Sequence, residues 1–499
     1  MGIVIRQSLK NTIVSYAGIF LGAVFNLLVF PKYLTPTQIG IYGFVINIGL
    51  MFASLGLMGA SNCLDHFYST FEKKKGEYQS LFSGLLAYGL LGFLAVGSVG
   101  LLARTEIINQ YDLRSEDLLP YLYLLFPIGF ISLFRLLFEA YARVNLRIVL
   151  PALLRDVAIR IALGLGIALF ALKIISFEQL LWLYIGFMAL NTLVLIAYCH
   201  TLRPLRISLN FLSFSKKETA EILRYSGYVV IGGLGGLLIV NIDRLMIPKY
   251  IDVAALGIYN IMLYMGNVIE VPRKGLSQIS IPILSTALKN GDMKQVDLFY
   301  KKTSINQLLV GGWLFLGIWC NREFIFYLMP NGELFESGQW VILFIGLAKV
   351  CDMLFSLNGE ILIYSKYYRQ NNLITVIMAL LMVGFNVIFI PLYGISGAAF
   401  ATLLAVAGYN LIRFEFIRRK FRLHPFSWKT LQAVGLYGVL WWLTSLVQGL
   451  HPWTAFLLKG SLITAGTIAG CYFLNLSEDF LKLGKQLSNI LPSRKQKRE

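Results

Sequence analysis

Long runs of apolar residues recur along the whole chain, and they constrain the fold more than any other feature of the sequence. Each run has about 20 residues, which as a helix is enough to cross a hydrocarbon core of roughly 30 Å. Of the 499 residues, 57% are hydrophobic and only 14% are charged, whereas soluble domains are roughly 45–50% apolar. The sequence therefore predicts a membrane protein that crosses the bilayer many times.

The spans are predicted to be helices, because lipid offers no partner for backbone N–H and C=O groups and the runs lack the alternating pattern of barrel strands. The predicted fold class is all-α, a polytopic membrane protein with about fourteen transmembrane helices. The predicted spans are 11–30, 39–61, 80–102, 118–138, 148–170, 179–200, 222–246, 254–272, 303–326, 339–358, 370–391, 395–416, 431–449 and 454–475.

Lysine and arginine are distributed unevenly between the two sets of predicted loops. If the N-terminus lies in the cytoplasm, about 31 of the 44 basic residues fall in inner segments and about 6 in outer ones, as the positive-inside rule requires. Both termini are therefore predicted to be cytoplasmic. The net charge of +18 then indicates anionic membrane lipids as partners and no nucleic acid.

One segment of the sequence occurs twice. PKYLTPTQIGIYGFVINIG, residues 31–49, is followed 217 residues later by PKYIDVAALGIYNIMLYMG, residues 248–266, with seven identities in 19 positions. An even number of spans separates the copies, which predicts two parallel lobes related by an axis along the membrane normal, an arrangement typical of transporters. The predicted parts are a six-helix lobe at 1–200, a cytoplasmic connector at 201–221, a second six-helix lobe at 222–416, two further helices in 417–475 and a basic cytoplasmic tail at 476–499.

Catalytic and metal-binding motifs are missing from the sequence. The five cysteines form no C-x-x-C pair, the four histidines have no ligand spacing, and there is neither a nucleophile elbow nor a phosphate loop. The longest predicted outer loop has about 14 residues, whereas a membrane-bound glycan polymerase or ligase is expected to carry large outer loops. The sequence predicts no enzyme, no metal site and no cofactor.

Two segments resemble a known transporter family. NIDRLMIPKYIDVAALGIYN (241–260) and FNVIFIPLYGISGAAFAT (385–402) are similar to the polysaccharide transporter family of the multidrug, oligosaccharidyl-lipid and polysaccharide exporter superfamily. The resemblance implies a flippase that moves undecaprenyl-diphosphate-linked glycans, such as O-antigen or exopolysaccharide units, across the bacterial plasma membrane. It also implies the lipid-linked glycan as substrate and other polysaccharide assembly proteins as partners.

Such a cargo directs attention to charges inside the spans, which are costly in lipid and are functional candidates by default. Several of them lie three or four residues apart and share a helix face, so internal neutralisation is an alternative role. The candidate diphosphate contacts are Arg273, Lys274, Arg155, Arg135, Arg160 and Lys349. The candidates for ion coupling or gating are Glu270, Asp243, Arg244, Asp352, Asp156 and Glu139, with a structural bond as the first expectation for Arg244.

Neutral polar residues on the first, second and eighth spans are the candidates for binding sugar hydroxyls. They are Asn47, Asn26, Asn260, Tyr264 and Asn267, and the stripes on the second and eighth spans are expected to face each other across a cavity. Glycines at small-x-x-x-small spacing on the first and seventh spans, Gly18, Gly22 and those within 232–236, indicate either close helix packing or a hinge.

A multidrug exporter of the same superfamily is the alternative function. It shares fold and repeat, but it is expected to favour acidic or aromatic residues for cationic drugs. Nine cations against six acids lie within the predicted spans of this chain, which favours an anionic cargo.

Overall fold

The computed structural model describes residues 2–73, 77–111, 114–204, 208 and 214–480. These residues form twenty α-helices and no β-strand, so the predicted all-α fold is confirmed. The helices are α1 Gly2–Val24, α2 Phe30–Tyr33, α3 Pro36–Gly56, α4 Ala60–Glu72, α5 Tyr78–Leu102, α6 Arg104–Tyr111, α7 Leu125–Val144, α8 Val149–Leu153, α9 Ile159–Ala171, α10 Phe177–Leu202, α11 Lys216–Tyr250, α12 Val253–Ile269, α13 Val271–Lys289, α14 Met293–Trp319, α15 Arg322–Leu328, α16 Gln339–Phe355, α17 Asn358–Ile363, α18 Tyr368–Phe421, α19 Trp428–Ser445 and α20 Pro452–Phe473. Two π-helical segments, Phe25–Val29 and Leu154–Ala158, link α1 to α2 and α8 to α9.

Nine helical segments of the described chain are long and apolar enough to cross a membrane, and two bent helix pairs raise the number to eleven. The structure has fewer candidate spans than the fourteen or so predicted from the sequence, for three reasons. The 54-residue helix α18 counts once although it contains two predicted spans. The predicted span 148–170 is broken by the second π-helical segment. The predicted span 431–449 overlaps α19, which has Lys429 in its first turn and ends at Ser445. The prediction of a polytopic membrane protein is confirmed.

Helix α18 is bent at a single glycine. Gly394 has φ 61° and ψ −142°, a conformation that residues with a side chain almost never adopt. Pro391 lies just before it and lacks the N–H that a continuous helix would use. The segment IPLYG therefore separates the two predicted spans within α18.

The chain folds into two compact units. Unit 1 comprises Met1–Ile261 and Thr375–Ala398, and unit 2 comprises Met262–Ile374 and Ala399–Glu499. The boundary falls inside α12 and inside α18, so each of these helices contributes to both units. The lobe boundaries expected from the sequence remain predictions.

The core of unit 1 lies among α3, α4, α5, α7 and α10. Leu64, Leu133 and Tyr141 are fully buried there. Helices α3 and α4 meet at a joint where Met58 and Gly59 have φ 48° and 79°, which interrupts the predicted second span. Ser226 of α11 donates a hydrogen bond to the Met58 carbonyl, so α11 is attached to this joint.

The two copies of the repeat begin their second helices in the same way. The Thr35 hydroxyl accepts a hydrogen bond from the Gln38 N–H at 3.3 Å, and α3 starts at the next residue. The Asp252 carboxylate accepts one from the Ala255 N–H at 2.6 Å, and α12 starts at the next residue. Thr35 and Asp252 are also 217 residues apart, so both copies place an N-capping residue at the same position.

Candidate functional site

The two copies of the repeat contact each other within unit 1 through small residues. A Cβ added to Gly40 would lie 2.9 Å from Val253 Cγ1, and one added to Gly257 would lie 2.8 Å from the Pro36 carbonyl carbon. Pro36 and Val253 are equivalent under the 217-residue shift, as are Gly40 and Gly257. The contact is therefore reciprocal, and we call these four residues the repeat clasp. Its close backbone approach explains why glycine occupies both positions.

Next to the repeat clasp, Gly43 and Asn260 are also in contact. A Cβ on Gly43 would lie 3.1 Å from the Asn260 side-chain carbon. The sequence placed Gly43 and Asn260 on facing stripes separated by a cavity, and at this level that expectation is wrong. The helices touch because Gly43 has no side chain.

Arg244 lies beside this contact. Its Nε donates to Asn260 Oδ1 at 3.3 Å, and its Nη1 donates to the Val240 carbonyl at 2.9 Å. The Asn260 Nδ2 atom is buried and has no hydrogen-bond partner among the described residues. Arg244 thus forms a bond between α11 and α12.

The neighbouring Asp243 points in another direction. It is buried, accepts a hydrogen bond from the Tyr259 hydroxyl, and accepts another from Asn386 Nδ2 at 2.9 Å. These partners lie on α12 and α18. Because adjacent helical residues do not face each other, Asp243 and Arg244 form hydrogen bonds with different neighbouring residues.

Five of the candidate residues form a cluster on α7, the second π-helical segment and α9, all in unit 1. The members of this N-terminal charge cluster are Arg135, Glu139, Arg155, Asp156 and Arg160. Arg155 lies 2.9 Å from Asp156 and 3.5 Å from Glu139, and 44% of its side chain is exposed. Arg135 approaches Glu139 at 3.8 Å. The cluster therefore contains three cations and two carboxylates, and two of the cations, Arg135 and Arg155, pair with these carboxylates.

The hydrogen bonds and ion pairs of this cluster differ in two respects from those expected for residues three or four positions apart on one helix. Arg160 donates to the backbone carbonyl of Asp156, not to its carboxylate. Arg155, which has no acid three or four positions away, pairs with its immediate neighbour Asp156, in a segment whose turn is wider than that of an α-helix. Gly18 of α1 packs against this segment, since an added Cβ would lie 2.8 Å from Asp156 Cβ.

A second set of charges lies in unit 2. This C-terminal charge cluster comprises Glu270, Arg273, Lys349, Asp352, Glu360 and Arg413. Lys349 pairs with Glu270 at 2.6 Å, and Arg273 pairs with Asp352, so both ion pairs join α16 to the region where α12 ends and α13 begins. Lys349 and Asp352 lie three residues apart on α16, yet each has an ion-pair partner on another helix. The side chain of Lys274 lies outside the described part of the chain.

Two other candidates for glycan binding make local hydrogen bonds. Asn26 and Asn47 each donate to a backbone carbonyl four residues earlier, of Gly22 and Gly43, at 2.8 and 2.7 Å. Tyr264 and Asn267 are half-buried on α12. Asn26 and Asn47 belong to unit 1, whereas Tyr264 and Asn267 belong to unit 2.

A cavity of about 440 Å³ lies in unit 1 between the α3–α4 joint and α11. Its lining includes Ser54, Asn62, Gly233 and Gly236, and no charged side chain of the described chain lines it. By contrast, the space lined by Arg135, Glu139 and Arg155 is only about 10 Å³, roughly the room for one water molecule. No group of three or more metal-ligating side chains is present among the described residues.

A comparison with protein families matches the N-terminal part of the chain. The family model described as "Polysaccharide biosynthesis protein" matches residues 8–287, more than half of the chain. The chain belongs to the polysaccharide biosynthesis protein family. The resemblance inferred from the sequence is thus confirmed.

A curated relative of this polysaccharide biosynthesis protein is the probable low-salt glycan biosynthesis flippase Agl15 of Haloferax volcanii. The two chains are 22% identical over 246 residues, which are 48% of this chain and 52% of the relative. The match therefore spans about half the length of the curated relative.

Solved transporters share the fold. The lipid II flippase MurJ in an inward closed conformation superposes with a TM-score of 0.74 at 15% identity, over 93% of this chain and 98% of that one. A multidrug resistance MATE family transporter of the MOP superfamily, in an inward-facing conformation, gives 0.64 at 14% identity over 82% and 98%. The polysaccharide biosynthesis protein therefore has the polytopic fold of these transporters.

Sequence reasoning missed several polar residues of unit 2 that the fold brings together. Asn410 donates to Asp352 at 3.0 Å, and Asn358 accepts from the Tyr300 hydroxyl. The Arg413 guanidinium lies 3.6 Å from the centre of the Tyr409 ring, is 6% exposed, and has a buried Nε without a hydrogen-bond partner among the described residues. Tyr409 lies four residues before Arg413 on α18, whereas Gly359 of α17 approaches Arg413 from another helix, since a Cβ added there would lie 2.9 Å from Arg413 Nη1.

Proposed function

We propose that this protein is a flippase that moves undecaprenyl-diphosphate-linked oligosaccharides across the bacterial plasma membrane by alternating access. Its family membership supports a role in polysaccharide biosynthesis, and its fold is that of transporters. The name of the curated relative supports a glycan-linked cargo. The positive-inside pattern supports cytoplasmic termini.

The observation that carries the proposal is the N-terminal charge cluster. It holds three cations and two carboxylates inside otherwise apolar spans. A charged side chain in a membrane is costly unless it is paired or serves a pathway. One cation in excess, with Arg155 44% exposed, fits a transient anionic partner such as a diphosphate.

In this proposal the C-terminal charge cluster has a different role. Arg273 already has Asp352 as partner, and Lys349 has Glu270. A diphosphate reaching Arg273 and Lys274 would have to replace the carboxylate of Asp352. We therefore assign Glu270 and Asp352 to coupling or gating, because the ion pairs that they form can be broken by substrate or by protonation.

Anionic lipids on the cytoplasmic side and other polysaccharide assembly proteins are the proposed partners. Within unit 1, sugar hydroxyls are proposed to bind near Asn26, Asn47 and Asn260, and the repeat clasp is proposed to close the predicted outer end; Tyr264 and Asn267 stay glycan candidates within unit 2. Opening of the clasp would release the glycan outside.

The test is the distribution of lipid-linked glycan between the two leaflets in cells lacking the gene. We expect build-up on the inner leaflet, restored by the wild-type protein. Arg155→Ala should lower the initial flipping rate by about tenfold or more, since a hydrogen bond to a charged group is worth roughly 1.5–3 kcal/mol. Arg273→Ala together with Lys274→Ala tests the second candidate contact.

Arg143→Ala is the matched control. Arg143 is also an ion-paired arginine of unit 1, bound to Asp65 at 2.8 Å and 53% exposed, but it lies outside the cluster. The Arg143→Ala variant should flip lipid-linked glycan at the wild-type rate. Absence of inner-leaflet build-up, with altered sensitivity to cationic drugs instead, would contradict the proposal and favour a multidrug exporter.

A further inference from the structure

The 440 Å³ cavity of unit 1 owes its size to glycines of α11. A Cβ added at Gly233 or Gly236 would meet no atom within 4 Å, although both residues line the cavity. Gly235, on another face of α11, would place its Cβ 3.3 Å from Thr375. Gly233 and Gly236 therefore serve neither close helix packing nor a tight turn; they leave open space.

The lining of this cavity is mainly aliphatic. Leucines and valines predominate, among them Leu55, Leu57, Val230 and Leu237, and no charged or aromatic side chain of the described chain contributes. A diphosphate would find no cation here. The volume of the cavity lies within the roughly 300–1,000 Å³ of small-molecule pockets, so the cavity can hold a sizeable ligand.

Of the four polar side chains in the lining, Ser61 donates to Asn62 Oδ1 at 3.4 Å, and Ser54 and Asn241 bond to other parts of the protein. The Ser54 hydroxyl donates to the Leu50 carbonyl at 3.0 Å, and Asn241 Nδ2 donates to the Leu237 carbonyl at 3.0 Å. Asn241 Oδ1 accepts from Arg244 at 3.4 Å. A sugar ring would leave most of its hydroxyls without partners in this space, which is unfavourable for buried polar groups.

We propose that the cavity between the α3–α4 joint and α11 binds a segment of the isoprenoid tail of the lipid-linked substrate. This inference rests on the proposed function, and it places part of the tail inside the protein during transport. Aliphatic lining favours an apolar chain through burial of surface. The glycines provide the width that a methyl-branched chain requires.

The test uses photoactivatable undecaprenyl diphosphate, without sugar, and the full-length protein in lipid vesicles, with cross-links mapped by mass spectrometry. Labelling is expected on α11 between residues 229 and 241. Gly233→Leu and Gly236→Leu, tested separately, should each reduce this labelling about tenfold or more, since each buried methylene contributes about fourfold to binding. Gly227→Leu is the matched control, because Gly227 lies on the same helix with nothing within 4 Å and does not line the cavity.

Further arms distinguish the source of the chain. A photoactivatable phospholipid that labels the cavity as strongly as the isoprenoid would overturn the assignment, as would full protection by a soluble glycosyl diphosphate without a tail. Labelling unaffected by either leucine would also overturn it. Flipping of lipid-linked glycan is measured in the same vesicles. Flipping without cavity labelling refutes this inference alone, whereas labelling without flipping supports the tail site and refutes the proposed function.

Discussion

Adding one methyl group to the repeat clasp is predicted to open the predicted outer end of the protein. In Gly40→Ala the new Cβ would lie 2.9 Å from Val253 Cγ1, while carbon atoms pack best at about 3.5–4.0 Å. Because the Val253 carbonyl oxygen would lie nearer still to the new Cβ, helices α3 and α12 must separate locally by more than roughly 0.6–1.1 Å. Overpacking of this kind costs about 1–3 kcal/mol, which corresponds to a shift of about 5- to 150-fold in the population of the closed contact.

The assay is the rate at which a membrane-impermeant maleimide, added outside cells, modifies Asn47→Cys. Asn47 lies two turns beyond Gly40 on α3 and is half-buried. The five native cysteines are first replaced by alanine. Gly40→Ala should raise the rate, and Gly257→Ala should raise it similarly, because the two glycines occupy equivalent places in a reciprocal contact.

The double variant provides a further check. Both substitutions disrupt the same contact. The change in free energy caused by the double variant should therefore be smaller than the sum of the changes caused by the single variants. Gly186→Ala is the control, since its Cβ would meet nothing within 4 Å. The reasoning is refuted if both clasp variants match this control while eluting as folded protein, or if only one of the two glycines has an effect.

The remaining predictions concern stability, measured as the melting temperature of the purified protein. Asp352→Asn leaves Arg273 without its ion-pair partner and should lower the free energy of unfolding by about 3 kcal/mol or less, since the pair is mostly but not fully buried. The exchanged pair, Arg273→Asp with Asp352→Arg, should recover part of this stability. An unchanged stability of the single variant would contradict the pairing. Gly394→Ala should cost about 1–3 kcal/mol because of its φ of 61°, whereas Gly384→Ala, with open space around it on the same helix, should be neutral or stabilising. Asp65→Asn breaks an ion pair that is 37–53% exposed, so its effect should stay below about 1 kcal/mol and diminish further in high salt.

The helices were predictable because their signal is local. An apolar run long enough to span a bilayer has few alternatives to a helix, and all the predicted spans are helical over most of their length. Breaks inside spans were harder to predict. The α3–α4 joint at Met58 and Gly59 and the π-helical turn at Leu154–Ala158 follow from packing against other helices, which a window of sequence does not contain.

The same distinction separates the predicted from the unpredicted parts of the site. Intramembrane charges are visible in any sequence, so all members of the N-terminal charge cluster were candidates. Their partners were not, because helical spacing says nothing about neighbouring helices. Lys349 and Asp352 share a face of α16, yet each pairs with a residue on another helix.

Charge counts in the two clusters indicate where an anionic cargo would be held. The N-terminal charge cluster has three cations and two acids, and the C-terminal charge cluster has three of each. A diphosphate bound at the first would offset an excess positive charge, whereas at the second it would leave a carboxylate without its cation, which is costly inside a membrane. Substitutions at Arg155 should therefore affect flipping more than stability, and substitutions at Asp352 should affect stability at least as much as flipping.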